Sequence, residues 1–257
     1  MNRLQTRPAP AVTVTTRGEV TSAAPDYARA KLLAVLAKLD EPVLAVRVKL
    51  TQEPNHAVAK PSTAQATLDL NGRPVRAHVA AATMQEAVDL LQDRLNARIA
   101  RVRAHHRHHR HDAERSAAGR DHRPQRRDLD VEERRIVRHK SYSLARQTTW
   151  AAVFELEAMD YDFHLYTDTE TGCDSVVHHD GATGAYRIAS AGAAPEAEPG
   201  IEVSAHAAPG LTVADAVARL DLGGLPFVFF TNAETGRGNV LYHRYDGHYG
   251  VITPADQ

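Results

Sequence analysis

The sequence predicts an α+β protein made of an N-terminal βαβββα domain and two small tandem βαβββ repeats. Three observations lead to this prediction. The first hundred residues alternate short strand-like segments with two amphipathic helical segments, the next thirty contain few apolar residues, and the remainder repeats itself with a period of about 64 residues. Apolar residues recur every second position in strands and about every 3.6 positions in helices. The 257 residues provide enough chain for more than one hydrophobic core.

The N-terminal domain is predicted over residues 11–104, after a tail at residues 1–10. Thr21 or Ser22 is the expected cap of the first helix, with Pro25 in its first turn. Asn71-Gly72 separates two alternating segments and predicts a two-residue hairpin. The order implies an antiparallel sheet with both helices on one face, compatible with a double-stranded-RNA-binding-like fold. The predicted elements are strands at 12–15, 43–51, 64–70 and 74–80, and helices at 25–39 and from about Thr83 onward.

The rest of the chain is predicted to be a His/Arg-rich linker followed by two repeats. Phe163–Gly172 aligns with Phe227–Gly236 at a constant offset, and each unit has the order βαβββ. Units of this size have open sheet edges and are marginal alone, so two adjacent copies are expected to pair as a pseudo-dimer. The predicted boundaries are 105–134 for the linker, 135–190 for repeat 1, 191–200 for a short connection and 201–257 for repeat 2.

Charge is distributed unevenly along the chain, although the net charge is only −1. Residues 1–110 carry +8, residues 111–140 carry +2 and residues 141–257 carry −11. A basic first domain favours a polyanionic partner, with nucleic acid the leading candidate, although a solvated charged surface is the alternative. The apolar runs are too short to span a membrane, and the single Cys173 provides no disulfide framework. A cytoplasmic location is therefore expected.

Motifs in both halves of the chain are those of a known family. Repeat 2 contains Phe227–Gly236, Asn239-Val-Leu-Tyr242 and Tyr249-Gly-Val-Ile252, and the first domain contains Leu70-Asn-Gly72 and Ala87-Val-Asp-Leu90. With these motifs the sequence resembles the long-form ribosome hibernation promoting factors over nearly its whole length except the linker. Its duplicated C-terminal unit is similar to the actinobacterial variant of that family associated with hypoxia and dormancy.

The resemblance implies a stress-response protein that is not an enzyme. Such a protein is expected to occupy the mRNA and tRNA channel of the small ribosomal subunit, contact its rRNA and ribosomal proteins, and silence translation. Helical spacing places Arg94, Arg98 and Arg101 on one face, as contacts that follow a phosphate backbone require. Plain solvation of that face is the alternative. The predicted rRNA-binding residues are Lys31, Arg76, Arg94, Arg98, Arg101, Arg103 and Arg107, of which Arg98 and Arg107 have no match in the family pattern.

The repeats are predicted to pair within one chain, which gives a monomer acting on single ribosomes. A short connection between two complementary units creates a high effective concentration of the internal partner. One alternative is a ribosome-dimerising factor whose repeats pair between molecules, and another is a general double-stranded-RNA-binding or chaperone protein. The residues assigned to the core or to repeat pairing are Phe163, Phe227, Phe229, Tyr242 and Tyr249.

Two further clusters have residue types that can bind metals or act as nucleophiles. The run from His105 to His111 has helical metal-ligand spacing, but no carboxylate or Cys completes a coordination shell, so an rRNA-contacting arm or a linker is favoured. Since His titrates near neutrality, mild acidification is expected to add charge there and tighten ribosome binding. Cys173 with His178-His179-Asp180 superficially resembles a nucleophilic triad, but neighbouring strand residues point to opposite faces. No catalytic residue, metal, cofactor or membrane partner is therefore predicted.

Overall fold

The computed structural model describes residues 11–55, 58–105, 123–124, 126–180 and 183–255. The chain divides into two compact units. Of these residues, the first unit contains 11–55, 58–105, 123–124 and 158–160, and the second contains 126–157 and the described residues from 161 onward. Each unit combines helices with β-sheet, so the predicted α+β class is confirmed.

The first unit is a four-stranded sheet with two helices. The strand order is β1-β2-β3-β4, in which β1 is parallel to β2 and the other pairs are antiparallel. The expectation of a purely antiparallel sheet was therefore wrong for the first pair. Helix α1 connects β1 to β2 and returns the chain to the same end of the sheet, so the two strands run in the same direction. The elements are β1 (Val12–Arg17), α1 (Ala24–Leu36), β2 (Val43–Gln52), β3 (Ser62–Leu70), β4 (Arg73–Ala81) and α2 (Met84–His105).

Local sequence signals explain how these elements begin and end. Asn71 and Gly72 both have positive φ, 53° and 84°, which a two-residue turn of this kind needs. The backbone N–H of Glu86 donates to the Thr83 hydroxyl at 3.2 Å at the start of α2. Helix α1 begins after Ala23, and neither Thr21 nor Ser22 caps it through its side chain. The apolar stripe of α2 is buried as predicted, at Ala87, Val88, Leu91, Leu95, Ile99 and Val102.

In its described residues, the second unit contains two five-stranded sheets, two α-helices and one turn of 3-10 helix at Val131–Glu133. The sheet orders are β10-β9-β8-β7-β6 and β11-β12-β13-β14-β5. The elements are β5 (Ile136–Tyr142), β6 (Arg146–Gln147), α3 (Thr149–Ala158), β7 (Phe163–Asp168), β8 (Asp174–His179), β9 (Tyr186–Ser190), β10 (Ile201–Val203), β11 (Gly210–Leu211), α4 (Val213–Gly223), β12 (Phe227–Asn232), β13 (Gly238–His243) and β14 (Tyr249–Pro254).

The two sheets exchange their first strands. Strand β5, which precedes α3, pairs in parallel with β14 at the far end of the chain. Strand β10, which precedes α4, pairs in parallel with β9. Each segment predicted to begin one repeat thus completes the sheet of the other, a pairing that periodicity alone does not specify.

Three apolar clusters hold this unit together. One lies between α3 and its sheet and includes Leu156 and Tyr166; an equivalent one lies between α4 and the other sheet and includes Leu220 and Phe230. The third cluster joins the opposite faces of the two sheets, so each sheet is covered by a helix on one side and by the other sheet on the second. Its fully buried members are Leu144, Leu165, Val176, Phe229, Val240 and Ile252.

Part of the predicted linker contacts helix α4 and the turn between β13 and β14. The backbone N–H of Arg127 donates to the Tyr245 carbonyl at 2.9 Å. Arg134 donates to the Leu129 carbonyl at 2.8 Å and to the Asp221 carboxylate at 2.9 Å. A Cβ at Gly247 would lie 2.7 Å from the Arg127 carbonyl oxygen, so the close approach of this segment requires glycine there.

Candidate nucleic-acid interface

The face of the first sheet that lies opposite its helices is polar and carries cationic side chains. In β2, Val46, Val48 and Leu50 point into the core, whereas the alternating residues Arg47 and Lys49 are exposed. A depression of about 350 Å³ lies over this face. Thr13, Thr15, Arg47, Val48, Lys49, Gln65 and Thr67 line it, and none of them is acidic.

Strand register organises these side chains into two rows that cross the sheet. Thr13, Arg47, Thr67 and Arg76 form one row, and Thr15, Lys49, Gln65 and His78 form the other. Neighbouring strands are about 4.8 Å apart, so Arg47 and Arg76 lie roughly 10 Å from each other. Arg76 donates to the Gln65 side chain at 3.2 Å. Arg47 and Lys49 make no ion pair with any residue of the described part of the chain, so their charges can meet phosphate groups.

Sequence reasoning did not select Arg47 and Lys49. The signal is present in the sequence, because residues 43–51 alternate as a strand and every second side chain, including Arg47 and Lys49, therefore points to the same face. Apart from Arg76 on a strand, the described basic residues that were predicted to bind rRNA lie on α1 and α2.

Two of the predicted arginines of α2, Arg94 and Arg98, bind a buried carboxylate and do not form an exposed row. Arg94 binds the Asp160 carboxylate through Nη2 at 2.8 Å and Nε at 3.3 Å, and Arg98 binds it at 2.5 Å. Arg123 adds a 3.3 Å contact to the same carboxylate, whose side chain is 1% exposed. Burial lowers the pKa of Arg94, and the hydrogen bond to Asp160 opposes that shift. Asp160 thus neutralises part of the charge on which the predicted rRNA contact depended.

The remaining predicted cations are also largely engaged. The Lys31 ammonium lies 2.7 Å from Asp89, which accepts a second hydrogen bond from the Tyr27 hydroxyl at 2.7 Å. These hydrogen bonds raise the pKa of Lys31 and lower that of Asp89. Arg103 reaches Glu41 at 3.3 Å. Arg101 is half-buried near the end of α2, and Arg107 lies outside the described residues, as does most of the His run.

The aromatic residues assigned to the repeats lie on both faces of their sheets. Phe163 and Phe227 contact each other with centroids 4.8 Å apart, and Phe229 and Tyr242 belong to the same inter-sheet cluster. Tyr249 faces α4 instead and donates to the Asp221 carboxylate at 2.6 Å. Burial, together with that hydrogen bond, raises the pKa of Tyr249 to about 12.

The residues that resembled a nucleophilic triad do not converge. The His178 ring contacts Phe227 on the inter-sheet face, whereas His179 binds Glu157 of α3 at 2.7 Å. The Cys173 thiol contacts the Thr171 carbonyl at 3.6 Å. Over the described ranges, no group of three or more His, Cys, Asp or Glu residues is arranged to hold a metal ion. No helix in that same part of the chain has the length and apolarity needed to cross a membrane.

Acidification is expected to destabilise the second unit through His164. Its Nε2 lies 2.9 Å from the Gln147 side chain, and burial lowers its pKa although Glu155 acts in the opposite direction. The native state then binds fewer protons than the unfolded state, so stability is lost as the pH falls below the ordinary value of 6.5. Between pH 7.5 and 5.5, His164→Gln should reduce the loss in thermal midpoint by about 2–4 °C. Identical pH profiles for the wild type and this variant would contradict the assignment.

Comparison with known proteins gives matches to two related family models. Residues 12–107 match the model of the Sigma 54 modulation protein / S30EA ribosomal protein family. Residues 131–187 and 201–251 each match the model of the C terminus of the same proteins. The two matches of one C-terminal model correspond to the two predicted repeats.

Curated relatives match over most of the chain or over short stretches. The "Dormancy associated translation inhibitor" of Mycobacterium tuberculosis (strain ATCC 25618 / H37Rv) is 36% identical over 219 residues, which are 81% of this chain and 76% of that protein. The "Ribosome hibernation promotion factor" of Bacillus subtilis (strain 168) is 45% identical over 42 residues, 16% of this chain and 22% of that protein. Among solved structures, a ribosomal subunit interface protein from Coxiella burnetii aligns with a TM-score of 0.31 at 20% identity, covering 36% of this chain and 97% of that one.

Proposed function

Since the chain belongs to the Sigma 54 modulation/S30EA ribosomal protein family, we propose that it is a cytoplasmic ribosome hibernation factor that occupies the small subunit and silences translation. Hibernation, dormancy and translation inhibition are the activities named for its relatives. The family consists of ribosome-associated proteins and is not a known enzyme family. Inhibition by occupancy needs a surface that binds rRNA and a body that excludes mRNA and tRNA from the channel.

The single observation that best supports this proposal is the polar sheet face of the first unit. Arg47, Lys49 and Arg76 present positive charge from one flat surface, flanked by the hydroxyls of Thr13, Thr15 and Thr67. Such a surface binds phosphate oxygens through charge and hydrogen bonds without reading base sequence. Each neutralised phosphate releases counterions, so affinity for the ribosome should fall steeply with salt. The α2 arginines remain candidates for additional contacts.

We propose further that the protein acts on single ribosomes as a monomer. In the second unit, the apolar cluster between the sheets and the two exchanged strands come from one chain. The faces that would pair two molecules are thus already occupied internally. This supports the predicted monomer over the alternative of a ribosome-dimerising factor.

The test is a sucrose gradient of purified ribosomes with the full chain and with a chain that ends at residue 125, which lacks the repeats. We expect the full chain to co-migrate with small subunits and single ribosomes, and the truncated chain to retain binding. A new heavier ribosome peak that disappears on truncation would mean that the repeats pair between molecules. Binding of naked duplex RNA as tight as ribosome binding, at equal salt, would favour a general RNA-binding protein.

A further inference from the structure

The contact between the two sheets of the second unit is nearly symmetric at one end. Phe163 contacts Phe227 at 4.8 Å between ring centroids, and these residues occupy matching positions of the two repeats. Phe163 also contacts Tyr242 at 5.6 Å, and Phe227 contacts His178 at 5.1 Å. His178 and Tyr242 are matching positions as well. At this end, then, each repeat presents the same positions to the other.

The other end of the same contact is asymmetric in charge. Asp174 of repeat 1 matches Gly238 of repeat 2, and Cys173 matches Arg237. The Asp174 carboxylate binds Arg237 in bidentate fashion, with Nε at 2.7 Å and Nη2 at 3.1 Å. It also accepts hydrogen bonds from the backbone N–H of Gly238 at 2.9 Å and from the Thr167 hydroxyl at 3.2 Å. Asp174 is 7% exposed, so this carboxylate depends on these donors.

The shapes of the two repeats differ in a complementary way at this point. A Cβ at position 238 would lie 2.7 Å from the Asp174 Cβ and 2.9 Å from the Phe229 ring. Glycine is therefore required opposite Asp174. At the position that matches Phe229, repeat 1 has the smaller Leu165. Phe229 therefore fills the space beside Gly238 in repeat 2, whereas the smaller Leu165 leaves room for the Asp174 side chain in repeat 1.

Two repeats of this kind could pair in three ways: repeat 1 with repeat 1, repeat 2 with repeat 2, or repeat 1 with repeat 2. Two copies of repeat 1 would bring two buried Asp174 carboxylates together with no arginine, because Cys173 takes its place. Two copies of repeat 2 would leave Arg237 without a carboxylate and a gap between two glycines. Only the pairing of repeat 1 with repeat 2 gives Asp174 an arginine partner and places a glycine opposite its side chain. Removing one partner of a buried ion pair leaves an uncompensated charge, which strongly disfavours the pairing.

We propose that Asp174 and the Arg237-Gly238 dipeptide form a recognition pair that makes repeat 1 the preferred partner of repeat 2 within the same chain. The surface of repeat 2 thus binds repeat 1 of the same chain in preference to a second molecule of the protein. This inference rests on the internal pairing in the proposed function and names the residues that specify it. The short connection between the repeats adds a high effective concentration to that preference.

The test uses the full chain with Arg237→Gln, Asp174→Asn and the double variant, measured by thermal unfolding and by molar mass across a concentration series. Arg244→Gln is the matched control, because Arg244 has a similarly half-exposed side chain and binds Asp246 within its own repeat. Arg237→Gln should lower the midpoint of the second unit by about 5–10 °C, since it strands the buried carboxylate. Adding Asp174→Asn should recover part of that loss, because it removes the stranded charge.

The expected molar mass is that of one chain for the wild type and the control, with a concentration-dependent two-chain species for Arg237→Gln. The recognition pair would be overturned if Arg237→Gln lowered the thermal midpoint no more than Arg244→Gln does. It would also be overturned if the double variant recovered none of the midpoint lost in Arg237→Gln. A wild-type mass of two chains would overturn pairing within one chain. Ribosome binding by the same proteins is measured separately on sucrose gradients. If the proposed function were wrong, the wild type would not co-migrate with ribosomes, while the unfolding results would stay the same.

Discussion

Charge reversal at Arg47 and Lys49 is expected to weaken ribosome binding by about 100-fold at moderate salt. Both side chains stand exposed in adjacent rows of the polar sheet face, and neither forms an ion pair with another described residue. Each lost phosphate contact should also reduce the slope of log affinity against log salt by about one. Arg47→Glu/Lys49→Glu should therefore lower that slope by about two. Equilibrium binding to purified small subunits between about 50 and 200 mM salt measures both quantities.

The control for this variant is a matched change of charge on another surface. Lys38→Glu alters an exposed lysine just after α1, away from the sheet face. It should be compared with Lys49→Glu alone, so that the net charge of the two proteins is equal. Equal losses for the two single variants would mean that only the net charge matters, and would remove the sheet face as the contact surface. The thermal midpoints of both should stay near that of the wild type, because the side chains are exposed.

Replacing residues 136–142 with a Gly/Ser segment of equal length is expected to lower the thermal midpoint of the second unit by at least about 10 °C. These residues form β5, which pairs with β14 from Tyr249 to Pro254. Without the strand, the backbone of β14 keeps β13 as a neighbour but loses β5, and Ile136 no longer covers the cluster around α4. Circular dichroism during heating measures the midpoint, and exposure of apolar surface should appear as increased dye binding.

A control variant separates the backbone of β5 from its side chains. Arg138→Ser/Lys140→Ser changes two exposed residues but keeps the strand. It should shift the midpoint by less than about 2 °C. If the two variants lose equal stability, the contribution comes from side-chain charge and the strand exchange is not what stabilises the sheet.

Local signals in the sequence predicted most of the first unit. Asn71-Gly72, the alternation of β3 and the apolar stripe of α2 each follow from rules that act within a few residues. The parallel pairing of β1 with β2 was missed because alternation identifies a strand but not its neighbour. The handedness and direction of the α1 connection decide that pairing.

The candidate site was less predictable, for a related reason. Helical spacing correctly placed Arg94 and Arg98 together, but it carries no information about Asp160, which lies more than sixty positions away in the sequence. Likewise, the alignment of the repeats shows that Cys173-Asp174 in repeat 1 replaces Arg237-Gly238 in repeat 2. The sequence does not show that these two positions contact each other, which is what makes the difference a matched pair. Long-range ion pairs depend on tertiary placement and leave no periodic trace.

The exchanged strands also determine when this protein can finish folding during its own synthesis. The ribosome releases β5 more than a hundred residues before β14, the strand with which it pairs. Pairings so distant in sequence form slowly, and an unpaired edge strand invites association with other nascent chains. Arg138 and Lys140 on β5 are the kind of charged residues that discourage such contacts. Completion of the sheet that contains β5 thus waits for β14 to emerge.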